Sequence, residues 1–121
     1  MTSAPRTPRA APAVSIVMPC YNAMRTIEAS IESVLAQSME DWELLVVDDG
    51  STDSSWHLIT DIAGTDPRIR VVSQRNAGPS VARNLGVSRA RGRIIAFLDA
   101  DDIWQPGHLA THCRKLGESS D

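Results

Sequence analysis

An apolar run ends in a dense acidic cluster at Ile94-Ile-Ala-Phe-Leu-Asp-Ala-Asp-Asp102. The same arrangement occurs earlier in the chain, where Leu44-Leu-Val-Val leads into Asp48-Asp-Gly-Ser-Thr-Asp53. Short apolar runs bounded by turn-forming residues are typical of buried strands in a parallel sheet. In open parallel sheets the loops that follow the strands gather at one edge, where ligands bind. The two stretches therefore predict an α/β fold with two acidic loops on its ligand-binding edge.

Segments with helical periodicity alternate with the apolar runs after residue 13. This repeated order of strand and helix predicts a mostly parallel sheet flanked by helices. The predicted strands are Val14–Met18, stopped by Pro19, then Trp42–Val47, Ile69–Ser73 and Arg93–Leu98. The predicted helices run from a cap at Asn22 to about Gln37, from a cap at Ser51 or Asp53 to Ala63, from Pro79 to about Ser88 with Val81, Leu85 and Ser88 facing the sheet, and from Pro106 to about Leu116.

Length and charge limit the number of domains and the class of partner. The 121 residues suffice for one compact domain but not for two. The net charge is −3, so the chain lacks the basic surplus that binding to a nucleic acid backbone requires. Residues 1–13 are rich in Pro, Ala and Arg and predict a flexible leader. The folded domain is therefore expected to span residues 14–121.

The sequence predicts neither secretion nor a membrane span. Its apolar runs are shorter than the roughly 18 residues that a spanning helix needs, and the N-terminus lacks the apolar core of a signal peptide. Cys20 and Cys113 lie far apart in unlike surroundings, which argues against a disulfide framework. These observations predict a cytoplasmic protein and are compatible with peripheral association at the inner face of a membrane.

The cluster at the end of the last strand suggests a metal site. Asp99, Asp101 and Asp102 repel one another, and a divalent cation would offset that repulsion. Alternate residues of an extended segment point the same way, so Asp99 and Asp101 are expected to face one ion, while Asp102 holds the loop or supplies another oxygen. Carboxylate ligands suit Mg²⁺ or Mn²⁺. The structural alternative is that the three acids only cap the following turn and helix.

The loop that begins at Asp48 and Asp49 suggests a site for a nucleobase. Gly50 allows a sharp turn there, but turn formation does not explain two adjacent carboxylates. A carboxylate at this edge can accept a hydrogen bond from N3–H of uracil, and Tyr21 offers a ring for stacking. Arg83, near the start of a predicted helix, is a candidate to neutralise a diphosphate. The alternative for Arg83 is an exposed position on an amphipathic helix.

Four motifs together resemble glycosyltransferase family 2, whose members have the GT-A fold, a Rossmann-like sheet flanked by helices. The order and spacing of the four motifs make the resemblance specific, and it covers the chain from Val14 to about Leu116. The motifs are Ser15-Ile-Val-Met-Pro-Cys-Tyr-Asn22, Trp42-Glu-Leu-Leu-Val-Val-Asp-Asp-Gly-Ser-Thr-Asp53, Asn76-Ala-Gly-Pro-Ser-Val-Ala-Arg-Asn84 and Gly92-Arg-Ile-Ile-Ala-Phe-Leu-Asp-Ala-Asp-Asp102.

The resemblance implies transfer of a sugar from a nucleotide sugar, most often a UDP-sugar, to a hydroxyl acceptor with inversion at the anomeric carbon. It implies that Pro19, Tyr21 and Asp49 line the nucleoside pocket and that Asp48 supports this loop. The D-x-D element, Asp99-Ala100-Asp101, is then expected to meet the ribose and the metal-bound diphosphate.

The resemblance also implies an acidic catalytic base on the acceptor side, well beyond the D-x-D element. We expect that base beyond Asp121, so no catalytic residue is expected within this chain, which alone should bind the donor weakly and transfer little. The chain would then be the donor-binding part of the domain, truncated after the D-x-D element. Alternatives are a non-catalytic fragment, a nucleotidyltransferase, and a zinc site at His108, His112 and Cys113. An NAD-binding domain is disfavoured because no G-x-G-x-x-G follows the first strand.

Overall fold

A computed structural model describes residues 11–119, with side chains described up to residue 116. The predicted leader falls mostly on residues 1–10, which lie outside the described residues. Four strands alternate with four helices, as the sequence predicted. The elements are β1 (Val14–Cys20), α1 (Ile27–Leu35), β2 (Trp42–Asp48), α2 (Ser55–Ala63), β3 (Ile69–Ser73), α3 (Pro79–Arg89), β4 (Ile94–Phe97) and α4 (His108–Ser119).

The four strands form one parallel sheet in the order β3-β2-β1-β4. Alternate residues of a strand face opposite sides of a sheet. Ile16 and Leu44 belong to the core cluster that also contains apolar residues of α1, α2 and α4. Val17 and Val47 face the other side, where α3 packs against them through Gly86. The sheet is therefore covered by helices on both faces, and the α/β fold class is confirmed.

Strand β1 continues through Pro19 to Cys20, so the prediction that Pro19 stops it was wrong. Pairing between β1 and β4 ends at Val17, whereas pairing with β2 continues to Cys20 and Asp48. Pro19 thus has a strand on one side only. A proline lacks only its N–H, and a strand with one free side tolerates that loss.

The predicted caps of the first two helices were also wrong. Helix α1 begins at Ile27 rather than after Asn22, and α2 begins at Ser55. Asn22 has a left-handed backbone, with φ of 49°, and its side chain turns away from α1 toward the loop after β2. Asp53 accepts a hydrogen bond from the Ser55 N–H at 2.8 Å, so it shapes the turn before α2.

Helix α3 meets the sheet through small residues, whereas of the three residues predicted to face it Val81 and Ser88 are exposed and Leu85 is half-buried. Ala82 and Gly86 are buried, while Val81 is 47% exposed. A Cβ atom at Gly86 would overlap Val17 Cγ1 and lie 3.3 Å from Val47 Cγ2. The helix lies so close to β1 and β2 at this point that a side chain larger than hydrogen does not fit at residue 86.

At the opposite end of the sheet from the acidic loops, Glu43 is a buried carboxylate that sequence analysis did not single out. Its side chain is 2% exposed and accepts a hydrogen bond from the Ser15 hydroxyl at 2.6 Å. Arg70 and Arg91 donate to Oε1 at 2.8 and 3.2 Å. Burial alone would raise the pKa of this carboxyl, but hydrogen bonds from Ser15, Arg91 and Arg70 hold the pKa below its ordinary value.

We expect Glu43→Gln to lower the free energy of unfolding by about 2 kcal/mol at pH 7, because it weakens charge-assisted hydrogen bonds. A carboxylate with a lowered folded pKa stabilises the protein above its unfolded pKa of about 4.3, and this contribution is lost as pH falls through the folded value. The variant should therefore lose less stability than wild type on acidification. Urea unfolding at several pH values tests this, with the exposed Glu32→Gln as control. Equal midpoints for wild type and Glu43→Gln at neutral pH would contradict it.

None of the helices in residues 11–119 is long and apolar enough to cross a membrane. Cys20 is buried below the carboxyl end of β1, and Cys113 is half-buried in α4; both are free thiols.

Candidate functional site

The loops after β1, β2 and β4 meet at the carboxyl edge of the sheet. An open cleft of about 370 Å³ lies there, between the loop after β1 and the acidic loop after β4. It brings together four of the residues predicted from the sequence, Pro19, Tyr21, Ala100 and Asp101. Asp48, Asp49, Arg83 and Asp99 do not line it. Three further lining residues were not predicted, namely Asn22, Ala23 and Thr26.

The three carboxylates after β4 converge, as their spacing suggested. Asp99, Asp101 and Asp102 are exposed, and each can place one carboxylate oxygen within 4.8 Å of the others. The convergence comes from a turn and not from an extended segment, because the Asp102 N–H donates to the Asp99 carbonyl at 3.0 Å. Three clustered carboxylate oxygens with room for water and phosphate ligands match the preferences of Mg²⁺ and Mn²⁺. The residues therefore fit a divalent cation.

Helix α1 holds this acidic turn in place by two hydroxyl groups. The Ala100 carbonyl accepts hydrogen bonds from Thr26 Oγ1 and Ser30 Oγ, both at 2.9 Å. Ser30 Oγ also lies 2.6 Å from the Asp102 carbonyl. Ala100 is itself buried, so the turn is anchored in the core while its carboxylates stay in solvent. Sequence reasoning missed Thr26 and Ser30, although their spacing of four residues places both on one face of the helix start.

Arg83 of α3 lies on the far side of the cluster. Its guanidinium is 3.7 Å from Asp99 Oδ1, and both side chains are substantially exposed, at 38% and 57%. An exposed pair at this distance contributes little to stability. The arrangement leaves Arg83 partly exposed beside the acidic turn.

Asn22 joins the first loop to the second. Its Oδ1 accepts from the Thr52 N–H at 2.8 Å and from the Asp53 N–H at 3.2 Å. In the same loop, Asp48 is buried and accepts from the Ser51 hydroxyl at 2.6 Å. Asp48 thus shapes the turn after β2 from inside the protein. Half of the surface of Tyr21 is exposed.

Asp49 is buried, with 4% of its surface exposed, and its carboxylate accepts hydrogen bonds from the segment after β3. Its Oδ1 accepts from Gln74 Nε2 at 2.8 Å and from the Ala77 N–H at 2.7 Å. Its Oδ2 accepts from the Gly78 N–H at 3.0 Å and from Asn76 Nδ2 at 3.2 Å. Burial would raise the pKa of Asp49, but these donors hold it below its ordinary value, so the carboxylate is charged at neutral pH.

Cys20 lies below the cleft and is not a nucleophile at neutral pH. Burial, together with the charge of Asp48, raises the pKa of its thiol to about 11. A thiol with this pKa is protonated at pH 7 and unreactive.

Two other features outside the cleft are a His/Cys group on α4 and a groove between α1 and α2. Across the described residues, the one group of three that could hold a metal ion is the acidic cluster, so His108, His112 and Cys113 do not form a zinc site there. Instead, the His108 ring stacks on Trp104 with a centroid distance of 4.4 Å. A groove of about 410 Å³ between α1 and α2 has an apolar floor and exposed acids at its rim, namely Glu28, Glu32 and Asp61.

Known proteins that are similar to this chain belong to one family of enzymes, and a model of that family matches nearly the whole chain. Residues 15–120 match the model of glycosyl transferase family 2. The chain is 43% identical over 110 residues to TuaG, a Bacillus subtilis glycosyltransferase assigned to teichuronic acid biosynthesis. It is 50% identical over 92 residues to the Escherichia coli enzyme WfgD, a UDP-Glc:α-D-GlcNAc-diphosphoundecaprenol β-1,3-glucosyltransferase. These matches cover 90% and 75% of this chain but only 44% and 36% of the relatives.

Solved structures show the same partial coverage. S. aureus TarS 1–349 in complex with UDP superposes with a TM-score of 0.80 at 27% identity, over 87% of this chain and 32% of that 1–349 chain. The Pyrobaculum calidifontis mannosyltransferase PcManGT, in complex with GDP-Man and Mn²⁺, superposes with a TM-score of 0.80 at 28% identity, over 88% of this chain and 33% of PcManGT. The chain thus spans about a third of these two structures and less than half of the relatives.

Proposed function

Because the chain belongs to glycosyltransferase family 2, we propose that it binds the nucleotide-sugar donor of an inverting sugar transfer in the cleft between Tyr21 and Asp101. The observation that carries the proposal is that one cleft joins an exposed aromatic ring to an acidic cluster. A nucleotide sugar needs both, since its base stacks on rings and its diphosphate pairs with bound cations. The cleft has the two kinds of surface in one continuous space.

Asp99, Asp101 and Asp102 would hold a divalent cation, Mg²⁺ or Mn²⁺. When bound, the cation offsets negative charge on the nucleoside diphosphate as it leaves the sugar. The protein's own contribution is to fix the acidic turn, through the hydroxyls of Thr26 and Ser30, so that its oxygens need not reorganise. Arg83 supplies a positive charge next to Asp99, where it can pair with a diphosphate oxygen.

The base end of the donor would lie against Tyr21 and near Asp49. Tyr21 directly follows β1, and the Asp49 N–H donates to the Cys20 carbonyl at 2.8 Å, so the two residues sit side by side. Pro19 forms the floor of the cleft beside the ring. A buried, charged Asp49 favours a base that presents an N–H group, as uracil does at N3.

The general base that acts on the sugar acceptor is expected among residues other than those that line this cleft. An inverting displacement needs a general base that takes the proton from the acceptor hydroxyl. None of the cleft residues is placed for that task, because Asp101, the one acid that lines the cleft, is a proposed cation ligand. We therefore assign donor binding to this chain and the proton transfer to the acceptor-binding part of a complete enzyme.

The names of the relatives suggest where such a reaction belongs. TuaG is assigned to teichuronic acid biosynthesis, and WfgD uses UDP-glucose with a lipid-linked acceptor. By analogy, the complete enzyme would transfer a sugar from a UDP-sugar to a saccharide or lipid-linked acceptor in the synthesis of a cell-envelope polysaccharide. Its place would be the cytoplasm, at the inner face of the membrane where such an acceptor is presented.

Calorimetric titration of the chain with UDP tests the donor-binding proposal. We expect weak, saturable binding in the presence of Mn²⁺ and a loss of at least about tenfold in affinity when the cation is chelated, because a charge-assisted contact is removed. Binding of UDP with the same affinity in the presence and absence of Mn²⁺ would overturn the metal assignment. The absence of any UDP binding would overturn the proposal as a whole.

A further inference from the structure

The carboxylate of Asp49 has its hydrogen-bond acceptor positions filled by donors from the protein itself. A carboxylate has about four acceptor positions. In Asp49 all four are taken, two by backbone N–H groups of Ala77 and Gly78 and two by the side-chain amides of Gln74 and Asn76. A nucleobase N–H can therefore bond to Asp49 only if one of these donors gives up its position.

Of the four donors, the backbone N–H groups of Ala77 and Gly78 are the least able to move away from Asp49. Gly78 has a positive φ of 101°, and its carbonyl accepts the first backbone bond of α3, from the Ala82 N–H at 3.1 Å. Ala77 precedes it in the same tight turn. Moving either N–H away from Asp49 would require the start of α3 to move. The backbone pair is thus a fixed part of the site.

The two side-chain amides differ in how firmly they are held. Asn76 Nδ2 donates to both the carbonyl and Oδ2 of Asp49, at 2.9 and 3.2 Å. Its backbone also lies against Gly50, since a Cβ atom there would be 2.7 Å from Asn76 N. Gln74 has a longer side chain and makes a single side-chain hydrogen bond among the described residues, to Asp49 Oδ1. Its backbone is fixed by the bond from its N–H to the Asp48 carbonyl.

We propose that Gln74 is a specificity-determining residue whose side-chain amide holds the Oδ1 position of Asp49 in the free protein and yields it to a ring N–H of the donor's base. This inference rests on the proposed function of the cleft. The exchange swaps one N–H donor for another, so the buried carboxylate stays fully hydrogen-bonded. It leaves the amide free to turn outward, because Gln74 directly follows the exposed end of β3 and is itself only half-buried.

The exchange predicts which bases are accepted. Uracil presents an N–H at N3, so it can replace the Gln74 donor. Cytosine has a lone pair at N3, which would face the oxygen of a charged carboxylate and repel it. A buried acceptor without its donor costs binding energy, so the site discriminates strongly between the two bases. The residue thus couples recognition of the base to the release of one internal hydrogen bond.

Nuclear magnetic resonance of the chain with UDP and Mg²⁺ tests the exchange directly. We expect the side-chain amide signals of Gln74 to move toward those of a solvated glutamine as UDP saturates the site. The backbone N–H signals of Ala77 and Gly78 should keep their hydrogen-bonded positions. CDP serves as the ligand control and should leave the Gln74 signals unmoved.

A variant gives the second test. Gln74→Leu removes the competing donor at similar size, so we expect UDP to bind about three- to tenfold more tightly, as expected when one hydrogen bond need not be broken. The affinity for CDP should not rise. Gln105→Leu is the matched control, because Gln105 is exposed and its side chain makes no hydrogen bond within residues 11–119.

The outcomes separate this inference from the proposed function. UDP-dependent shifts at Tyr21 and Ala100 with an unmoved Gln74 amide would overturn the exchange and leave the donor site standing. Unchanged or weaker UDP binding by Gln74→Leu would also overturn it. If UDP shifts no signal at Tyr21 or Ala100, the donor site itself is wrong, and the exchange falls with it.

Discussion

Replacing Asp101 by Asn should reduce Mn²⁺-dependent binding of UDP by about ten- to a hundredfold, the loss expected when a charged partner is removed from a hydrogen-bonded site. Asp101 is the one member of the acidic cluster that also lines the cleft. It therefore links the cation to the donor. Asparagine keeps the shape of the side chain and removes only its charge. Because Asp101 is exposed, the fold should be unaffected.

Titration calorimetry on wild type and Asp101→Asn measures this effect. Asp61→Asn is the matched control, since Asp61 is an exposed acid on α2 that lines the other groove. The control should bind UDP as wild type does. Equal affinity of wild type and Asp101→Asn would show that the acidic cluster does not hold the cation that UDP requires.

The second large effect concerns stability. We expect Gly86→Val to destabilise the fold by about 3 kcal/mol or more, because overpacking of a tight interface forces the backbone apart. Even a Cβ atom at Gly86 overlaps Val17, and Val47 leaves no room on the other side. Since α3 packs on β1 and β2, the whole helix would have to move outward. Chemical denaturation followed by circular dichroism measures the change.

Gly107→Val is the control for this substitution. A Cβ atom at Gly107 meets nothing within 4 Å, and the residue has no positive φ. Its stability should therefore stay within about 0.5 kcal/mol of wild type, as for most surface substitutions. If Gly86→Val unfolds at the same denaturant concentration as wild type, α3 does not pack on the sheet as described.

Strand positions followed from the sequence because a strand buried on both faces is a continuous apolar run. Leu44 to Val47 is such a run, and β2 is buried along its whole length to Asp48. Ile94 to Leu98 is also a continuous apolar run, but β4 lies at the edge of the sheet, ends at Phe97 and leaves that ring 49% exposed. The inward face of α3 did not follow in the same way. Periodicity favours large apolar residues as the buried ones, yet the close approach of this helix selected Ala82 and Gly86. The distance between the helix and the sheet decides which residues of α3 are buried. The apolar pattern of a single helix does not specify that distance.

The candidate site was predictable to a similar degree. The acids at Asp99 and Asp101 stood out because three carboxylates within four residues at the end of an apolar strand repel one another unless a cation offsets their charge. The donors that surround Asp49 did not, since Gln74 and Asn76 lie 25 and 27 residues away along the chain. Their contact depends on the pairing of β2 with β3, which places the two loops side by side. Contacts between residues so far apart in the sequence can be identified only once the order of the strands in the sheet is known.

We propose that the acidic turn after β4 holds the cation to which a nucleotide sugar binds. Paramagnetic broadening by substoichiometric Mn²⁺ in the amide spectrum of this chain tests it most directly. We predict selective broadening of Asp99 to Asp102 and of Thr26 and Ser30, which contact that turn, with Tyr21 shifted once UDP is added. Broadening centred on Glu28, Glu32 and Asp61 instead, or none that is selective, would contradict the claim.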